Sequence, residues 1–405
     1  MDFRFSPEEE AFKREVREFL DREYPLDRHS SALPDGSSLP TPEPHVPGYM
    51  PSREAELKLG AKGWLALSWP VEYGGGGKPL VYQMIVDEEL AYHNVPGAES
   101  MGRTIIAPTL LAWGNEELKK EVLPRIARGE ADVCLGYTEP EAGSDLASLR
   151  TRAVLDGDDY VINGAKVYTS GADISQYCWL LARTEPDAPR HRALSLFLTP
   201  MDVPGVSVRA LPNLLDICWF TEVTFEDVRV PRRWLVGEEN RAWQIVMSAL
   251  ASERLALYHW CSQRRLFESV LEYAKRVLKD GRPLGKDTTL RQRLADLAVE
   301  FEVARLLTYR AQWLRSQGRT LTYEAALVKA FNTEMTQRLG AVAMEVVGLY
   351  GGLLPASART VLGGIVAHGY LDAVQGTIGA GASEVMRDII ARAGLDLPRG
   401  RSDTI

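Results

Sequence analysis

The chain has 405 residues, with 47 Lys plus Arg against 55 Asp plus Glu and a formal net charge of −8. That acidic balance excludes a nucleic-acid binder, which needs a basic face to displace counterions, and a polybasic membrane-surface protein. Charged residues at 25% and apolar residues at 45% describe an ordinary globular mixture rather than a disordered chain. In chain order, Ser6 is the expected N-cap of a first helix, with Glu9 three residues on and Phe12, Val16 and Phe19 at helical spacing. Residues 26–52 are expected to be a loop, because Pro34, Pro40, Pro42, Pro44, Pro47 and Pro51 oppose regular structure. Helical patterns return in SREAELKLGAKGW, VYQMIVDEELAYHN and NEELKKEVLPRIARGE.

The middle of the chain changes character. DGDDYVINGAKVYTSG carries a turn cluster, an apolar run, Asn-Gly and a second strand-like run, which predicts a hairpin. YCWLLART, ALSLFLTP, VSVRALP and EVTFEDVRVP are further short strands, with EPDAPRHR an exposed loop. From Glu238 the helical period resumes, and ADLAVEFEVARLLTYRAQWLRSQ and LTYEAALVKAFNTEMTQRLGAVAMEVVGLYGG predict long helices of a bundle. The expected class is α+β, with an all-α domain over 1–131, a β-domain over 132–237 and a helical bundle over 238–405.

No apolar stretch approaches the roughly 20 residues needed to cross a bilayer, and the N-terminus lacks a signal-like apolar run. The four cysteines (Cys134, Cys178, Cys218, Cys261) form no C-x-x-C pair and read as buried, reduced thiols of a cytoplasmic protein. No histidine spacing suits a metal ion, and none is expected.

The most informative segment is Tyr137-Thr138-Glu139-Pro140-Glu141-Ala142-Gly143-Ser144-Asp145. It packs hydroxyls and backbone N–H groups into a short turn that can approach a polar cofactor, or can simply join the helical zone to the strands. Taken in order with INGAKVYTSGA, FEDVRVP and EVMRDIIARAGLDLPR, it resembles the acyl-CoA dehydrogenase flavoprotein family over nearly the whole chain. The resemblance implies an N-terminal helical domain, a middle β-barrel or sandwich and a C-terminal four-helix bundle, with FAD as cofactor and a homotetramer as the usual assembly.

Carried over by position, Leu135, Tyr137, Thr138 and Gly143 should border the flavin, and Ser144 the pantetheine arm or the flavin edge. Tyr168 stands where the family usually has a Trp over one flavin face, and Ser170 where a hydroxyl lies near its edge. Arg282, Gln292, Glu345 and Gly348 fall where a neighbouring subunit's FAD contacts usually come from, and a solvated charge is the alternative for Arg282 and Glu345.

The resemblance breaks at Ile378-Gly379-Ala380-Gly381-Ala382-Ser383-Glu384, where many members carry the catalytic Glu at the position of Ala380. Glu384 corresponds to a non-catalytic position. Removing a thioester α-proton still requires a base and a polarised carbonyl. A second family location for the base lies in the run from Trp243 to Leu255, where Trp243, Val246, Met247 and Leu250 mark an apolar helix face. Glu253 falls within about 20° of Val246 on the helical wheel, an expensive place for a carboxylate without a partner or a task. The alternative for Glu253 is a structural ion pair with Arg254 or Arg387, both also candidates for substrate binding.

The expected activity is dehydrogenation of an acyl-CoA to a trans-2-enoyl-CoA. Glu253 is the expected base, the Ala380 N–H the donor to the thioester carbonyl, and an electron-transfer flavoprotein the acceptor. A branched or bulky acyl group is favoured, and no nucleic acid or membrane insertion is expected. Two alternatives stay open: a non-catalytic or half-site subunit of a mixed tetramer, and a flavin monooxygenase or oxidase on the same fold.

Overall fold

The computed structural model describes residues 4–26, 29–33, 38–41, 52–97, 100–255, 258–355, 357 and 359–398. The chain opens with α1 (Pro7–Glu23), β1 (His29–Ala32), β2 (Ser38–Thr41), α2 (Arg53–Ala61), α3 (Leu80–Tyr92), α4 (Ala107–Trp113) and α5 (Glu116–Ala127). Strands follow: β3 (Val133–Gly136), β4 (Arg152–Asp156), β5 (Asp159–Lys166), β6 (Tyr177–Arg183), β7 (Leu194–Pro200), β8 (Val206–Leu211), β9 (Phe220–Pro231) and β10 (Leu235–Val236). The remainder is α6 (Ala242–Glu253), α7 (Tyr258–Arg276), the pair β11 (Leu278–Lys279) and β12 (Arg282–Pro283), then α8 (Thr288–Ser316), α9 (Glu324–Val347), α10 (Ile365–Gly376) and α11 (Ser383–Ile389).

Local chemistry sets the boundaries. Ser6 caps α1 in a reciprocal capping box with Glu9, and Pro7 occupies the first turn, where its missing N–H costs nothing. Asn115 caps α5 through the Leu118 N–H at 2.9 Å. The proline-rich stretch departs from the expected loop, because β1 and β2 pair antiparallel with Ser30 opposite Pro40. A two-stranded ribbon has only edge strands, where proline is tolerated. Pro34, Pro42, Pro44, Pro47 and Pro51 lie outside the described residues.

One compact unit comprises residues 49–83 and 99–253. Among the described residues it holds an eight-stranded sheet in the order β10-β7-β6-β4-β5-β9-β8, with β3 parallel beside β6. Trp179, Leu180, Phe197 and Tyr160 form its fully buried centre. The Asn163–Gly164 step departs from the expected hairpin turn. The turn lies at Asp156–Asp159, and Asn163–Gly164 lies inside β5, opposite a bulge of β9 at Glu226–Asp227 where the pairing shifts. Gly164 has φ +150°, and a Cβ there would meet Thr151 Oγ1 at 2.5 Å, so only glycine fits.

The second unit comprises residues 1–48, 84–98 and 254–405. Its core gathers Trp260, Phe267, Phe301, Met335, Leu339 and Val346 from α7, α8 and α9. No helix among the described residues is long and apolar enough to cross a membrane. Among the described residues no cluster suits a metal ion. Cys134, Cys178 and Cys261 are buried thiols, whereas Cys218 is exposed, contrary to expectation, on the segment leading into β9.

Candidate active site

In the sheet unit, β3 delivers Leu135 half-buried and leads directly into Tyr137, which is buried. The Trp179 indole N–H donates to the Tyr137 hydroxyl at 3.0 Å. Burial drives the Tyr137 phenol well above its ordinary value, against the Trp179 hydrogen bond, and the nearby Glu253 carboxylate drives it further. The structure thus brings two expected site residues, Tyr137 and Glu253, within electrostatic reach of each other.

After Thr138, whose carbonyl accepts from the Val167 N–H at 2.9 Å, the chain turns tightly. Glu139 and Ala142 exchange both backbone hydrogen bonds across Pro140–Glu141, which leaves Gly143 and Ser144 exposed. A Cβ at Gly143 would meet nothing within 4 Å, so this backbone is open to a ligand.

The turn is anchored from beneath by residues that the sequence analysis did not single out. Glu139 is buried and accepts from Lys166 Nζ at 2.8 Å, the Arg150 N–H at 2.6 Å and the Thr151 N–H at 2.9 Å. Burial alone would raise its pKa, but Lys166 and these donors outweigh it and hold the carboxyl below its usual range. Lys166 also donates to the Tyr137 carbonyl at 3.2 Å. The overlooked signal is parity, since Lys166 falls in step with the inward Tyr160 and Ile162 on β5.

Tyr168 follows with φ +58°. A bulky residue in left-handed backbone is strained by roughly 1–2 kcal/mol. Thr169 and Thr221 hold it there by exchanging backbone hydrogen bonds at 3.0 and 3.2 Å. The ring is 63% exposed. Ser170 beside it is half-buried, and Thr169 Oγ1 is buried with no hydrogen-bond partner among the described residues. A strained, outward aromatic ring beside free hydroxyls and an open glycine backbone fits a flat cofactor with a polar edge, as FAD requires.

Glu253 ends α6. That helix buries Ala242, Ile245, Val246 and Ala249, while Met247 is exposed and Trp243 and Leu250 are only half-buried. The buried stripe is therefore rotated from the expected one, because the two alanines let the helix pack closely. Glu253 lies four residues beyond Ala249, on that stripe, half-buried with Oε2 shut off from solvent.

In the other unit, Ala380 lies in the loop between α10 and α11 with φ +54°, followed by Gly381 at +98°. The Ile378 and Gly379 N–H groups both donate to the Gln375 carbonyl at 2.9 Å, and the Ser383 N–H donates to Thr377 at 2.9 Å. Among the described residues no acceptor takes the Ala380 N–H. Arg254 Nε donates to the Ala380 carbonyl at 3.3 Å and Lys329 Nζ to the Gly381 carbonyl at 2.6 Å. A left-handed alanine costs about 1–2 kcal/mol, and two hydrogen bonds from charged donors at roughly 1.5–3 kcal/mol each outweigh it.

Glu384 lines a cavity with Ile378 and Ala382 of this loop, and the other remaining candidates lie on other elements of the unit. Arg387 is exposed and pairs with Glu334 at 2.8 Å, and Glu384 is exposed in the first turn of α11. Arg282 is exposed on the β11–β12 hairpin. Gln292 bonds to Asp296 at 2.9 Å, its neighbour Arg293 pairs with Glu345, and Gly348 ends α9 with φ +60°. An open cavity of about 580 Å³ is lined by Glu334, Gln337, Arg338, Thr377, Ser383 and Glu384 among others, and Ser383 Oγ is buried there without a hydrogen-bond partner among the described residues.

Residues 6–130 match the acyl-CoA dehydrogenase N-terminal domain, 134–228 the middle domain and 240–395 the C-terminal domain. The chain is 35% identical over 397 residues to acyl-CoA dehydrogenase FadE29 of Mycobacterium tuberculosis, covering 97% of this chain and 98% of that one. Its structure is similar to the Tcur3481-Tcur3483 steroid ACAD, with a TM-score of 0.87 and 32% identity over 99% of this chain and 100% of that one. It is also similar to a chain of the ChsE4-ChsE5 complex from Mycobacterium tuberculosis, with a TM-score of 0.83 and 32% identity over 99% and 100% of the two chains. The chain belongs to the acyl-CoA dehydrogenase family, and is an FAD-dependent oxidoreductase of acyl-CoA thioesters.

Proposed function

We propose that Glu253 is the base that removes the α-proton of the acyl-CoA and that the Ala380 N–H donates to its thioester carbonyl, giving a trans-2-enoyl-CoA. The observation that carries this reading is the position of Glu253 on the packed stripe of α6, with Oε2 out of solvent and its charge felt at Tyr137. The Ala380 N–H has no acceptor of its own among the described residues and needs no side chain, so the departure from Glu leaves this role intact.

FAD, when bound, supplies the acceptor for the β-hydrogen as hydride. Leu135, Tyr137, Thr138, Gly143, Ser144, Tyr168 and Ser170 would hold its flavin end. Arg282, Gln292, Glu345 and Gly348 would serve a second subunit's copy in a homotetramer. Ser144, Arg254 and Arg387 are assigned to substrate, and an electron-transfer flavoprotein is the partner that takes the electrons. The likeness to a steroid ACAD supports a bulky, branched or ring-bearing acyl group. Four thiols with no disulfide among them support a reducing, cytoplasmic setting.

Anaerobic mixing of the holoenzyme with short, long, branched and steroid-type CoA thioesters tests the reading. Bleaching of the yellow flavin by a bulky thioester, and its absence in Glu253→Gln, is expected. Undiminished bleaching by the variant overturns the assignment.

A second reading has its own support. Two similar structures carry the names of two chains, the Tcur3481-Tcur3483 steroid ACAD and the ChsE4-ChsE5 complex, and Ala380 replaces the commoner base. Here the chain shares a mixed oligomer and completes its flavin site with a partner. Substoichiometric FAD in the chain purified alone, restored by a co-expressed partner, would favour this reading.

A further inference from the structure

Lys329 sits in α9 with its side chain 2% exposed, among Ala325, Ala326, Val328, Ala330 and Thr333, all buried. A primary ammonium is rarely buried without a task, because dehydrating it is costly. Its Nζ donates to the Gly381 carbonyl at 2.6 Å, one peptide beyond the Ala380 carbonyl that accepts from Arg254. Two cations thus hold consecutive carbonyls on one short loop. Fixing both oxygens fixes the two peptide planes that follow Ala380 and Gly381. They set Gly381 at φ +98°, and the Ala380 N–H lies one peptide back, joined to them through Ala380's own left-handed +54°. Hydrogen bonds within the loop occupy the Ile378, Gly379 and Ser383 N–H groups and leave that of Ala380 without an acceptor among the described residues.

We propose that Lys329 is a positioning residue for the reaction: through the Gly381 carbonyl it holds the Ala380 N–H in the orientation that stabilises negative charge on the thioester oxygen. The inference rests on the reading of the Ala380 N–H as the thioester donor. Lys329 touches neither substrate nor cofactor in this role. Its loss should therefore lower kcat more than it raises KM, since the donor matters most where charge has developed.

The test uses the FAD-loaded enzyme and acetoacetyl-CoA, whose acidic C2 hydrogens give an enolate without any transfer to flavin. The readout is the pH at which the bound ligand enolises, followed by its absorbance, beside FAD content and thermal stability. In the wild type the bound ligand should enolise at lower pH than in free solution. In Lys329→Met the midpoint should rise by about one pH unit or more, a roughly tenfold loss of enolate stabilisation, with FAD still bound. Lys329→Gln, which keeps a neutral donor and guards against a misfolded Met variant, should fall between them. A wild-type midpoint in a flavin-loaded Lys329 variant overturns the proposal, even if that variant melts earlier. No lowering in the wild type itself overturns the underlying reading of Ala380 instead.

Discussion

Lys166 Nζ lies 2.8 Å from Glu139 Oε1, and both side chains are buried beneath the turn that carries Gly143 and Ser144. Removing one partner strands the other charge in the interior, which costs about 3–5 kcal/mol. Lys166→Met and Glu139→Gln should each lower stability by that order in urea denaturation. The double variant should be less destabilised than the sum of the two, because contacting residues couple. FAD content should fall in step, since Lys166 also holds the Tyr137 carbonyl. Additive losses would show that the pair does not act as one unit.

Tyr168 at φ +58° trades stability for an outward ring. Tyr168→Gly removes the left-handed strain and should raise the melting temperature of the FAD-free protein by a few degrees, an effect on the order of 1 kcal/mol. The same change should weaken FAD binding, measured as flavin retained per protomer after gel filtration. Tighter FAD binding in the variant would contradict a stacking role for the ring.

Reading the sequence succeeded where the signal is local. Ser6 and Glu9 mark a helix start whatever the rest of the chain does. The short apolar runs in 177–183 and 194–200 read as strands buried on both faces, and 220–231 alternates as a half-exposed strand does. It failed at Asn163–Gly164, because a glycine demanding φ > 0 serves a close approach inside a strand as readily as a turn, and only the register with β9 distinguishes them. Lys166 and Lys329 went unnoticed although each breaks an apolar face, the signal that singled out Glu253. Their acceptors, Glu139 and the Gly381 carbonyl, are far away in sequence. How residues 1–131 divide between two compact units was equally invisible, since helical period says nothing about which helices pack together.

Glu56 provides a pH test within the sheet unit. Burial, then repulsion from Asp132, pushes its carboxyl from an ordinary 4.5 up to about 8, against the attraction of Arg53 and Arg103. The folded protein then binds a proton that the unfolded chain has released across that interval. This contribution to stability is fully present below pH 4.5 and is lost as pH rises towards about 8. Urea denaturation at several pH values should show wild-type stability falling across the window by on the order of a few kcal/mol more than that of Glu56→Gln. Identical slopes in the two proteins would exclude this proton uptake.

The role of Glu253 is tested most directly by separating proton removal from hydride transfer. 3,3-Dimethylbutyryl-CoA has exchangeable α-hydrogens but no β-hydrogen to give up. Incubated with the FAD-loaded enzyme in D2O and followed by mass spectrometry, it should take up deuterium at C2 with the wild type. Glu253→Gln, retaining its flavin, should slow that exchange by at least about 100-fold, the lower range for a general base. Exchange at the wild-type rate in the variant would contradict the assignment of Glu253 as the base.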